Sequence, residues 1–122
     1  MNIKFDEKVP IYIQIMDIIK QNIILGKLKG GDKLTSVREL SAEFKVNPNT
    51  IQRAYKELER EGFAYTQRGM GTFIVDDERI IFNLKKDTAK DIMNNFINGM
   101  KHLGFDNKEI VELVLKNLEG GN

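Results

Sequence analysis

The sequence predicts a mainly α-helical chain that carries one small β-hairpin. Apolar residues recur at helical spacing in several separate stretches. Both prolines, Pro10 and Pro48, stand where a helix can begin, because the missing proline N–H would have no partner in a first turn. "FAYT" and "TFIV", rich in aromatic and β-branched residues and joined by "QRGMG", give the hairpin signal.

The first helix follows Pro10, in "IYIQIMDIIKQNIILG", and Gly26 is its expected stop. Ile11, Ile15 and Ile18 form one apolar row, with Tyr12, Met16, Ile19 and Ile23 in the row beside it. A stripe that wide predicts a helix covered from two directions. "GKLKGGDKL" reads as a loop with a short strand around Lys33–Leu34. In "SVRELSAEF", Ser36 and Glu39 have the spacing of a capping box, and Val37, Leu40 and Phe44 supply the buried face. "KVN" is a tight connection, Asn47 is the expected N-cap of a third helix, and Pro48 opens it. That helix should end at a left-handed Gly62, with Phe63 folding back on Leu58. Residues 76–86 read as irregular or extended. A fourth helix, in "TAKDIMNNFINGMKHLG", carries Ile92, Met93, Phe96, Ile97 and Met100. A last helix starts near Asp106 with a D-x-x-E capping pattern and ends at Gly120.

A length of 122 residues allows one domain with an appendage. With no cysteine, disulfides and thiolate metal sites are excluded. No apolar run approaches the roughly 18 residues of a membrane span, and Asp6 and Glu7 stand where a signal peptide needs apolar residues. The expectation is a small cytoplasmic protein. Net charge is +1, with 12 basic and 10 acidic residues in 1–76 and 7 and 8 in 77–122. Any basic surface must therefore be local.

One segment is locally biased. Lys45 to Lys56 contains no acid, whereas Glu57, Glu59 and Glu61 crowd the end of the same helix. On a helical wheel Ile51, Ala54, Tyr55 and Leu58 share one arc, and Asn49, Gln52, Arg53 and Lys56 share the opposite one. Such a polar face is commonly just solvated. It also fits a helix whose N-terminal half enters a DNA major groove: Asn and Gln pair with adenine, Arg with guanine, and Lys meets phosphate. A short helix one tight turn upstream and a hairpin tipped by Arg68 immediately downstream give the order of a winged helix-turn-helix.

"LTSVRELSAEFKVNPNTIQRAYKELEREGFAYTQRGMGTFIV" resembles the DNA-binding domain of GntR-type bacterial repressors. The Ser-x-Arg-Glu-Leu helix, the Leu-Glu-x-Glu-Gly ending and the Arg-Gly-x-Gly-Thr-Phe wing carry the likeness, over about residues 8–76. "NPNT" and the short C-terminal region resemble the YtrA-type subgroup, in which a two-helix tail serves dimerisation. The resemblance implies residues 1–76 as the DNA-binding domain and 77–122 as a helical dimerisation region. It places DNA contacts at Arg38, Asn47, Pro48, Asn49, Thr50, Gln52 and the wing pair Arg68–Gly69, and Thr35 and Ser36 complete the set. Asn49, Gln52 and Arg53 are expected to read bases; Arg38, Thr50, Lys56 and Arg68 to hold the backbone. Thr35 replaces a common proline, and Pro48 and Gln52 stand where many members have arginine, so Arg53 is the candidate to take over base reading.

The tail's apolar stripes exceed what two short helices can bury alone. The expected dimer surface combines Tyr12, Met16 and Ile19 of the first helix with Ile92, Phe96, Ile97 and Met100, and with Ile110, Leu113, Val114 and Leu118. The partners are thus double-stranded DNA and a second copy. No cofactor, metal or catalytic set is expected, since His102 is the sole histidine. The resemblance makes the chain a repressor binding a palindromic operator. Two other readings are a winged-helix protein–protein adaptor and a metabolite-sensing regulator with a site between tail and first helix.

Overall fold

The computed structural model describes residues 4–120; residues 1–3 and 121–122 of the expected domain spans lie outside the described residues. The order is α1 (Ile11–Ile24), α2 (Val37–Phe44), α3 (Pro48–Arg60), β1 (Ala64–Gln67), β2 (Gly71–Ile74), α4 (Glu78–His102) and α5 (Asn107–Gly120). This is a mainly α-helical winged helix-turn-helix with a C-terminal helical tail. Two compact units divide the chain, Met1–Leu84 and Lys85–Asn122.

In the first unit α1 and α2 both pack on α3, and α3 packs on β1. Its core comprises Ile15, Met16, Ile19 and Ile23 of α1, Leu34, Leu40 of α2, Ile51, Ala54, Tyr55 and Leu58 of α3, Ala64, Ile74 and Leu84. Most of both apolar rows of α1 is therefore covered within the unit, Ile11 at the helix start staying exposed. Met16 and Ile19, expected at a dimer surface, are each only 5% exposed in this core. The wide stripe that pointed to a second chain is covered by α3 and the loop residues around it. Tyr12 is half-buried and packs against the same core.

The helix ends follow the local signals. Gly26 adopts φ 76° just after α1. Ser36 Oγ accepts the Glu39 N–H, and the Glu39 carboxylate returns to the Ser36 hydroxyl rather than to its backbone N–H. After α3, Gly62 takes φ 89°, and the Phe63 N–H donates to the Leu58 carbonyl at 2.9 Å while Gly62 N–H donates to Glu59, the paired bonds of a Schellman ending. The helix-turn-helix turn is closed without glycine. Lys45 is the one non-glycine residue with positive φ (56°) among the described residues.

β1 and β2 pair antiparallel, Ala64 opposite Ile74 and Gln67 opposite Gly71. The strand read at Lys33–Leu34 is reduced to a single bridge from Lys33 to Phe73, flanked by the Leu34 N–H donating to Thr72 and the Ile74 N–H donating to Asp32.

Residues 78–86 depart from the sequence reading: α4 begins at Glu78, not near residue 88. Asp77 Oδ1 accepts the N–H groups of Arg79 and Ile80, and the Asp77 carbonyl accepts from Ile81. Ile81 and Leu84, three apart, then face the core of the first unit. Acidic residues just ahead of this turn (Asp76, Asp77) and at its first position (Glu78) favour a helix N-terminus. That signal outweighed the absence of a longer apolar stripe.

The second unit holds the rest of α4 and α5. Asp106 and Glu109 form a complete reciprocal capping box, with bonds of 2.9 and 3.1 Å. Ile110 is buried between the helices. In the single chain it is 6% exposed and forms part of the wall between α4 and α5. Ile92, Met93, Phe96, Val111, Leu115 and Leu118 stay exposed. An open groove of about 550 Å³, lined only by apolar side chains, runs between Ile92–Ile97 and Ile110–Leu115.

Candidate nucleic-acid interface

The third helix is held by its apolar arc and offers its polar arc. Ile51, Ala54 and Leu58 are fully buried, while Asn49, Gln52, Arg53 and Lys56 are all exposed. The helix start is fixed from within: Asn47 Oδ1 accepts the Asn49 N–H at 2.8 Å, so this side chain is engaged as a cap. Thr50 lies half-buried beside it. Pro48 occupies the first turn, where no acid offsets the partial positive charge of the helix end.

The head of α2 is tied to α3 by a partly buried hydrogen bond, from the Tyr55 hydroxyl to the Thr35 carbonyl. Burial, with Glu43 adding its charge, pushes the Tyr55 phenol well above its usual range, so it remains a donor. Thr35 and Ser36 line a cleft of about 370 Å³ with Lys33 on one side and Gln67, Gly69 and Met70 of the wing on the other. The fold thus brings Thr35, Ser36 and Gly69, half a domain apart in sequence, to the walls of one cleft. Arg38 is exposed on α2 and Arg68 at the wing tip. Gly69 (φ 79°) and Gly71 (φ 126°) set the turn, closed by the Met70 N–H donating to Gln67. Sequence reasoning passed over Lys33 and Met70. The short strand read at Lys33–Leu34 did not say that Lys33 pairs with the wing, and Met70, 60% exposed at the tip, carries no charge to mark it.

The three glutamates each make a specific contact. Glu57 accepts from Arg60 Nε and Nη2 at 2.9 and 2.6 Å. That hydrogen bonding holds the Glu57 carboxyl below its usual range and raises Arg60. Glu59 accepts from the Thr66 N–H and hydroxyl, tying α3 to the wing. Glu61 pairs with Lys20 of α1 at 2.8 Å. The charge split thus separates an open, acid-free face from an end of the helix used to fasten its neighbours.

Arg53 is exposed but not unattached: its guanidinium carbon lies 3.9 Å from the centroid of the Tyr12 ring on α1. Tyr12, expected at a dimer surface, is thus in contact with α3. Among the described residues no group of three or more His, Asp or Glu could hold a metal ion, and no helix is long and apolar enough to cross a membrane.

Comparison with known proteins agrees with this geometry. The chain is 43% identical, over 99% of its length and 100% of the relative's, to the HTH-type transcriptional regulator YhcF of Bacillus subtilis. It is 39% identical to the HTH-type transcriptional repressor YtrA of the same organism, over 86% of this chain and 82% of that one. A GntR family transcriptional regulator from Listeria monocytogenes superposes with a TM-score of 0.86 at 46% identity, covering 92% of this chain and 98% of the other. Residues 11–74, from α1 to the end of the wing, match the gntR family of bacterial regulatory proteins. The chain belongs to the GntR family and is a DNA-binding transcriptional regulator.

Proposed function

We propose that the chain is a repressor of the YtrA-type subgroup that acts in the cytoplasm as a homodimer on a two-fold operator. Residues 1–76 read DNA and 77–122 hold the two copies together. The observation that carries the reading is the exposed, acid-free face of α3, with Asn49, Gln52, Arg53 and Lys56 backed by a buried arc. Asn49, Gln52 and Arg53 read base edges; Arg38, Thr50, Lys56 and Arg68 hold phosphates. Thr35, Ser36 and the Gly69 backbone line the DNA-facing cleft, while Asn47 and Pro48 shape the helix start. The likeness to a relative named as a repressor supports repression.

The second copy is argued from the tail. Its exposed apolar residues include Ile92, Phe96 and Leu118, the last 75% exposed, while Ile97, Met100, Leu113 and Val114 lie half-buried beside them. Apolar surface of this kind on a small unit marks an interaction site, and a dimer matches the symmetry of a two-fold operator.

Selection of bound fragments from a random DNA pool tests the proposal. The expected result is a two-fold motif, relaxed at one position per half-site by Arg53→Ala. Retention of DNA without any enriched motif would overturn it.

A further inference from the structure

Arg53 is the only cation among the proposed base readers, and it is a long side chain with rotamer freedom to lose on binding. In the structure that freedom is already restricted. Its guanidinium carbon lies over the Tyr12 ring at 3.9 Å, well inside the ~6 Å within which the negative face of an aromatic ring attracts a cation. The ring is itself fixed, since Tyr12 is half-buried and packs against the core that joins α1 to α3. One turn further along α3, Glu57 feels the charge of Arg53, yet its two hydrogen bonds, both at Oε2, come from Arg60. Glu57 therefore draws on Arg53 without capturing it. A guanidinium lying over a ring keeps its in-plane N–H donors, the ones that pair with guanine O6 and N7.

We propose that Tyr12 is a positioning residue for sequence reading: the first helix supplies the platform that orients the Arg53 guanidinium toward its base. This rests on the DNA-reading proposal above and adds a residue outside the helix-turn-helix and wing. It also gives the exposed end of α1 a role within one chain.

The experiment repeats the random-pool selection with full-length Tyr12→Leu, Tyr12→Phe, Arg53→Ala and the Tyr12→Leu/Arg53→Ala pair, with thermal unfolding of each. Tyr12→Leu should relax the same motif position as Arg53→Ala and no other. Operator affinity should fall roughly two- to five-fold, the scale of an exposed cation–π contact. Tyr12→Phe keeps the ring and should restore the preference. In the Arg53→Ala background Tyr12→Leu should cost nothing further. A merely structural role for Tyr12 would lower the unfolding temperature and weaken all positions alike. That result, or an unchanged preference in Tyr12→Leu, overturns the inference while leaving the wild-type motif and the DNA-reading proposal standing. A motif that Arg53→Ala leaves intact also overturns it. Absence of a wild-type motif removes the DNA-reading proposal itself.

Discussion

Phe96→Glu should convert the protein from two chains per particle to one and lower operator affinity roughly a hundred-fold. Phe96 stands between two apolar recesses, one shared with Ile92, Met93 and Val111, the other with Met100, Leu113 and Leu118. It remains 43% exposed in the single chain, so glutamate there leaves the isolated unit solvated. In the proposed dimer the same carboxylate would lose water without gaining a partner, and an unpaired buried charge is strongly unfavourable. The large effect on DNA comes from linkage between half-sites. A dimer holds the second recognition helix at high local concentration, whereas a monomer binds one half-site at a time. Light scattering and operator titration of the same preparation read both effects. An unchanged particle mass would locate the interface elsewhere.

Ile51→Ala and Gln52→Ala should have opposite signatures although the residues are adjacent. Ile51 is 0% exposed at the centre of the first unit. Truncating a buried isoleucine to alanine costs about 2–5 kcal/mol, a large share of the roughly 5–15 kcal/mol that holds a small domain folded. The denaturation midpoint of Ile51→Ala should fall sharply, while whatever folded protein remains keeps its sequence preference. Gln52 is exposed, and surface changes of this kind stay within about 0.5 kcal/mol. Gln52→Ala should therefore fold as the wild type does and lose roughly 1–3 kcal/mol of discrimination at one base pair per half-site. Urea unfolding paired with fragment selection separates the two. A stability loss in Gln52→Ala would remove it from the reading face.

Local signals explain why so much of the fold was legible from single residues. Ser36, Asn47, Gly62 and the Asp106–Glu109 pair each solve a helix end with atoms a few residues away, so spacing alone announces them. The buried arc of α3 was legible for a related reason: its 3.6-residue period is the signature of one covered face. Reading failed where the partner lies far away in sequence. Met16 and Ile19 looked available because their stripe is wide, but width does not say what covers it, and α3 with the adjoining loop does so. Residues 78–86 carry only a short apolar pattern, and the helix there depends on Asp77 and on Ile81 and Leu84 finding the core. The fastening of Glu59 to Thr66, of Glu61 to Lys20 and of Arg53 to Tyr12 arises from tertiary placement. The candidate DNA face could therefore be named from sequence, while the contacts that steady it could not.

The central claim is that the acid-free face of α3 reads a base sequence. Its most direct test is the affinity of the wild-type protein for the selected operator relative to a scrambled duplex of equal length, across a salt series. The account predicts a preference on the order of a thousand-fold or more, on a salt dependence that is steep for both duplexes because phosphate contacts are common to both. Equal affinity for the two duplexes at every salt concentration would contradict it.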